Sequence, residues 1–229
     1  MSLSVLAIGA HPDDIEFGCG GTLLKLRDLG AKIFLFVATS GEYGGDPEVR
    51  MKEATKSAEI LKAEIIFGRF KDTFLSYSRE LIIKIEEVIN KVQPSIIFVN
   101  FYEDTHQDHY ALSKSTITAT RYSRNVLFYE VPSTSASFKP DVFTDITDVL
   151  EEKMKLLLAH ASQVDKVNIS DLDIIRVAKS TATFRGIQAR CGYAEGFQPY
   201  RFQFLEILQI LNGTNDKLKN KKMNNPTEK

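Results

Sequence analysis

Five short apolar runs, each stopping at a polar loop and separated by stretches with helical spacing, constrain this chain more than any other feature. Val5 to Gly9, Lys32 to Thr39, Ile65 to Phe67, Ser95 to Asn100 and Val126 to Tyr129 read as buried strands. Between them, Thr22 to Leu29 reads as a helix closed by Gly30 at its C′ position. Glu48 to Lys62 and Tyr110 to Arg121 have helical spacing. Arg79 to Val92 sets Leu81, Ile82, Ile85, Val88 and Ile89 on one face before Pro94 ends it. This alternation predicts an α/β fold, a Rossmann-like and mostly parallel sheet with helices on both faces. The active site is expected at the C-terminal ends of the strands, where such sheets bind ligands.

After Tyr129 the pattern loosens. Asp148 to His160 and Asp171 to Arg185 read as helices, and Tyr200 to Ile210 as a closing strand-like run. Neither an internal repeat nor a clear linker is present, so residues 1–211 are expected to form a single domain. Residues 212–229 are Lys- and Asn-rich with almost no apolar content, which predicts a mobile tail.

Composition narrows the class. Hydrophobic residues make up 43% of the chain, enough for a sizeable core, and the net charge of −1 gives no global field toward nucleic acid or an anionic membrane. Cys19 and Cys191 are the only cysteines, which argues against a disulfide framework and for a reducing compartment. The N-terminal run has no basic region before it and is too short for a signal peptide or a membrane span. A cytoplasmic protein without stable membrane association is the expectation.

Two of the strand-end loops carry three of the four histidines. His11-Pro12-Asp13-Asp14 follows the first run, and His106-Gln107-Asp108-His109 follows the fourth. Either motif alone also reads as a turn with capping aspartates. Together they offer imidazoles and carboxylates in the number that a catalytic zinc needs, about three protein ligands with one position left for water. Water on such an ion is acidified from ~15.7 toward ~7, and a spare carboxylate can move its proton.

Ala10-His-Pro-Asp-Asp-Ile-Glu-Phe-Gly-Cys-Gly-Gly21 with His106-x-Asp-His109 closely resembles the N-acetylglucosaminyl-phosphatidylinositol de-N-acetylase family, the PIG-L or LmbE-like deacetylases. Ser40-Gly41-Glu42 with Pro47-Glu48-x-Arg50-x-x-Glu53-Ala54, His160-x-Ser162-Gln163, and Arg190-x-Gly192-Tyr193-Ala194-Glu195-x-Phe197 extend the likeness to about Phe204. Glu16 stands one residue later than in the family's AHPDDE form, which looks like the small-sugar and thiol-cofactor branch and not the lipid-anchored one.

The resemblance implies a zinc-dependent hydrolase that removes the acetyl group from an N-acetylglucosamine-type sugar or its conjugate. It places one Zn2+ per chain on His11, Asp14 and His109, a set that also accepts Fe2+. Asp13 would be the general base, His106 the oxyanion-stabilising group as an imidazolium, and Asp108 the acid that orients His106. Arg50 and Tyr193 would border the substrate; the alternatives are an Arg50–Glu53 ion pair and a packing tyrosine. His160 is expected as a partly buried helix-end residue and Cys19 as a small apolar one. Gly18, Gly20 and Gly21 are expected to form a tight turn behind the metal site. The partner implied is a small N-acetylated amino sugar, and the assembly a homo-oligomer, a trimer or hexamer.

Three rivals remain. Gly18-x-Gly20-Gly21 with Glu42 suggests a dinucleotide-binding domain, although two carboxylates in the phosphate turn would repel a pyrophosphate. The second is a metal-dependent hydrolase of another bond, such as a phosphodiester. The third is a non-catalytic binding protein on the same scaffold.

Overall fold

The computed structural model describes residues 3–167, 169–205 and 207; the expected tail over 212–229 lies outside the described residues. All five anticipated strands form: β1 (Ser4–Gly9), β2 (Lys32–Thr39), β3 (Glu64–Phe70), β4 (Ile96–Asn100) and β5 (Val126–Tyr129). The helices α1 (Asp14–Asp28), α2 (Pro47–Leu61), α3 (Arg79–Val92) and α4 (Gln107–Ala119) alternate with them. Two further strands, β6 (Val142–Asp145) and β7 (Ala194–Arg201), complete a seven-stranded sheet of order β3-β2-β1-β4-β5-β7-β6 among the described residues. β1 to β5 are parallel, and only β7 runs against its neighbours. The α/β class and the mostly parallel sheet are as the sequence predicts.

β1 shows why its sequence is a continuous apolar run. Val5 and Ala7 join the core under α1, α2, α5 (Leu150–Leu158) and α6 (Ile174–Ala189), while Leu6 and Ile8 join the core under α3 and α4. A strand covered on both faces has no solvent side to alternate toward. Strand order reverses at β1, with β2 and β3 to one side and β4 and β5 to the other. The loops leaving β1 and β4 therefore open onto the crevice where α/β sheets hold ligands.

Among the boundaries that differ from expectation, three bear on the site or on the sheet edge. Helix α1 starts at Asp14, not at Thr22, so the glycines lie inside it and form no turn behind the metal site. A Cβ on Gly18 would come within 2.0 Å of the Tyr129 ring, and one on Gly21 within 2.8 Å of Ile146. Close approach of α1 to the sheet outweighs the weak helix propensity of glycine here. No glycine loop is left for a pyrophosphate, which removes the dinucleotide reading. α4 begins at Gln107, so Asp108 and His109 stand in its first turn and not in the preceding loop. Only Tyr200 and Arg201 of the expected Tyr200–Ile210 run belong to a strand, and residues 206 and 208–210 lie outside the described residues. Gly196 and Pro199 dilute the strand signal of β7, and β6 is four residues long with no apolar run.

Candidate metal centre

The turn after β1 folds back on itself because Asp14, the first residue of α1, accepts the N–H groups of Ala10 at 3.0 Å and His11 at 2.9 Å through Oδ2. The same oxygen lies 3.2 Å from His109 Nε2 and 3.6 Å from His11 Nδ1, and the two imidazole nitrogens are 3.1 Å apart. A tetrahedral ion with N and O ligands at ~2.0–2.2 Å spaces its ligand atoms by about 3.3–3.6 Å. Two turns separated by nearly a hundred residues thus converge on one point.

The outer nitrogens explain why the inner ones face that point. His11 Nε2 is 3.0 Å from Asp72 Oδ1 and 3.3 Å from Asp108 Oδ2. His109 Nδ1 is 3.2 Å from Asp104 Oδ1 and 3.2 Å from Ser133 Oγ. A carboxylate on the outer nitrogen keeps the proton there and leaves the inner lone pair for a cation. Electrostatics point the same way. Burial pulls His109 down, but Asp14 and Asp104 outweigh it and hold it at about 9. Against burial, the three surrounding carboxylates keep His11 well above the usual imidazole range. Burial pushes Asp14 up, yet His109 and His11 bring it well below the usual carboxylate range. This is a pocket that stabilises positive charge, and its donor set fits a divalent cation.

His106 stands beside the triad, its ring 4.6 Å from that of His11 and 4.7 Å from that of His109. It caps α4: Nδ1 accepts the Asp108 N–H at 3.2 Å. That cap uses the Nδ1 lone pair, which leaves Nε2 as the nitrogen free to donate. Burial, followed by the charges of His11 and His109, lowers its pKa in keeping with this. Asp108, fully buried, touches His106 only through that backbone bond. Its carboxylate accepts the N–H groups of Thr73 at 2.7 Å and Leu75 at 3.1 Å and faces His11, so it supports His11 and not the His106 ring.

Asp13 is not in the triad. Its φ of 108° places it in the left-handed half of the map, and its carboxylate meets Arg50 at 3.2 Å. Burial, helped by the Asp14 charge and opposed by Arg50, raises its pKa. Asp13 and Asp14 line a cavity of about 240 Å³ together with Phe17, Val131, Gln163 and Lys166.

Arg50 and Tyr193, expected to border the substrate, do not line this cavity. Arg50 is buried and donates to Gly41 O at 2.8 Å and Pro12 O at 2.7 Å, clamping the turn that carries Asp13. The alternative pair with Glu53 does not form, since Glu53 accepts from the Ser162 N–H and hydroxyl. Tyr193 bonds through its backbone to Ile146 and Thr147 and packs on the core beside α1, the bland alternative. His160 is more buried than expected and pairs with Glu16 at 3.2 Å. Cys19 is buried, as expected. Sequence reasoning missed Asp72 and Asp104. Each is a lone aspartate beyond a strand end, and the only signal was that position.

A family model described as PIG-L, GlcNAc-PI de-N-acetylase, matches residues 6–120. An uncharacterized deacetylase of Escherichia coli, YaiS, is 35% identical over 167 residues, 69% of this chain and 90% of that protein. The diacetylchitobiose deacetylase of Thermococcus kodakarensis is 34% identical over 234 residues, 89% of this chain and 85% of its own length. The solved N,N'-diacetylchitobiose deacetylase of Pyrococcus horikoshii superposes with a TM-score of 0.75 at 28% identity, covering 86% of this chain and 83% of that one.

Proposed function

The chain belongs to the PIG-L family of GlcNAc-PI de-N-acetylases, and from that premise we propose that it hydrolyses the acetamide of an N-acetylglucosamine-type sugar, releasing acetate and a free amine. One observation carries the reading: His11 Nδ1, Asp14 Oδ2 and His109 Nε2 converge within 3.6 Å, and the adjacent Asp13 stays out of the cluster and faces a cavity.

His11, Asp14 and His109 would hold one divalent ion, which we take to be zinc from the two-imidazole, one-carboxylate set. When bound, such an ion polarises the amide carbonyl and makes water a stronger acid. Asp13 removes the proton of the attacking water, a task suited to a carboxylate whose pKa is raised. His106 presents its Nε2–H to the carbonyl oxygen, where negative charge develops in the transition state. Protonated Asp13 would then return that proton to the nitrogen, which leaves as an amine as the C–N bond breaks. Arg50 acts on this chemistry through Asp13, whose carboxylate it meets at 3.2 Å.

The proposal includes a single-domain subunit over 1–211 in the cytoplasm. Two free cysteines support this, as does the lack, among the described residues, of any helix long and apolar enough to cross a membrane. A trimer or hexamer is carried over from the family alone.

Acetate release from N-acetylglucosamine, diacetylchitobiose and N-acetylglucosaminyl conjugates, with and without a chelator, tests the reading. We expect release from at least one substrate, loss on metal removal and recovery with added zinc. Absence of acetate from every amino-sugar amide would overturn it.

A further inference from the structure

We propose that Asp72, in the loop after β3, is the positioning residue that decides which nitrogen His11 turns toward the cation; the inference rests on the metal triad described above. Both carboxylates near His11 Nε2 are buried, but they are not equally free to accept its proton. Asp108 already takes the Thr73 N–H on Oδ2 at 2.7 Å and the Leu75 N–H on Oδ1 at 3.1 Å, and its contact to His11 at 3.3 Å shares the first of these oxygens. Asp72 is placed differently. Its Oδ2 takes the Tyr43 N–H at 2.9 Å, and its Oδ1 lies 3.0 Å from His11 Nε2. Asp72 Oδ1 is the nearer acceptor, and the Asp108 oxygen that faces His11 already holds the shorter Thr73 bond.

What holds Asp72 there is a pair of bonds between two loops. Its own N–H donates to Glu42 Oε1 at 2.9 Å while its carboxylate receives Tyr43, so the loops after β2 and β3 grip the residue from both ends. With the His11 proton held on Nε2, the Nδ1 lone pair points at Asp14 and His109. Without Asp72, the proton can move to Nδ1 and occupy the place of the ion.

Zinc affinity measured by chelator competition on the full-length protein is the test, with the His11 Nε2–H resonance of the zinc-bound protein as a second readout. Asp72→Ala is expected to weaken zinc binding 10- to 100-fold, the usual loss when an outer partner of a metal-bound imidazole is removed, and to abolish the hydrogen-bonded resonance. Asp72→Asn keeps the side-chain size but can turn either its oxygen or its amide to His11, so at least a fivefold loss is expected. It decides the question if the alanine variant does not fold. Affinities within twofold of the unaltered protein, with the resonance in place, would overturn the proposal. A wild-type protein that binds zinc yet releases no acetate would end the deacetylase reading and leave this inference standing.

Discussion

Asp13 and Asp14 are neighbours with the same side chain and opposite assignments, and the backbone between them is the reason. Asp14 opens α1 with its carboxylate tied to two N–H groups of the preceding turn. Asp13 sits at φ 108°, a conformation that costs an L-residue about 1–3 kcal/mol and persists only where the surroundings impose it. Arg50 imposes it here by holding Pro12 O and Gly41 O together, and this leaves the Asp13 side chain 28% exposed at the cavity. Asp13→Asn should therefore retain metal at full stoichiometry and lose on the order of 10²-fold or more in kcat, since the amide cannot accept the proton. Metal analysis beside single-turnover kinetics would check both halves, and a variant with unaltered kcat would remove Asp13 from the chemistry. At this scale the histidines and aspartates of the two motifs were legible, because few functions need both imidazole and carboxylate at two strand ends. The outer carboxylates were not, since Asp72 and Asp104 gain meaning only from their distances to His11 and His109. The bonds of Arg50 to Pro12 O and Gly41 O were not legible either, because sequence does not show which carbonyls a side chain reaches.

At the level of elements, α1 is the least ordinary piece of the fold. Its glycines belong to a helix pressed against Tyr129, whose hydroxyl is itself anchored on Ile8 O at 2.8 Å and Asn100 Oδ1 at 3.1 Å. Helix propensity alone predicts that Gly18→Ala stabilises by up to ~1 kcal/mol. The structure predicts the reverse sign, because the new methyl would lie 2.0 Å from a ring that cannot retreat. We expect a destabilisation of about 1–3 kcal/mol or more. Gly20→Ala is the internal control, its methyl meeting the flexible end of Leu156 at 3.1 Å, and should stay near neutral. Denaturant melts of the two variants separate the terms; equal effects would show that close packing at Gly18 is not what requires glycine. The strands were legible because burial on both faces leaves an uninterrupted apolar run. The start of α1 was hidden because glycine's preference for loops outvoted a packing constraint that lies in β5.

Across the whole molecule, the cavity beside the His11, Asp14 and His109 cluster draws its wall from both halves of the chain. The family model ends at residue 120, so the cavity wall is shared between Asp13, Asp14 and Phe17 within it and Val131, Gln163 and Lys166 beyond it. The C-terminal half also holds the N-terminal helix in place. Glu195 on β7 accepts the Gly21 N–H at 2.8 Å and the Thr22 N–H at 2.7 Å from the middle of α1, and Lys153 of α5 bridges Glu195 and Phe17 O at 2.6 Å each. Both charged side chains are 3% exposed. Removing one member of a buried pair leaves the other charge unpaired in a poor solvent for it, a loss of about 3–5 kcal/mol. Glu195→Ala would also remove the bonds that the Gly21 and Thr22 N–H groups and the Thr22 hydroxyl make to its carboxylate. At this chain length, such a loss lowers Tm by roughly 6–20 °C. Replacing both partners together, Glu195→Gln with Lys153→Met, removes the uncompensated charge and should recover part of the fall. Calorimetry of the single and double variants would decide it. A single variant that melts with the parent would mean that α1, and the Asp14 it carries, does not depend on the strand that closes the sheet.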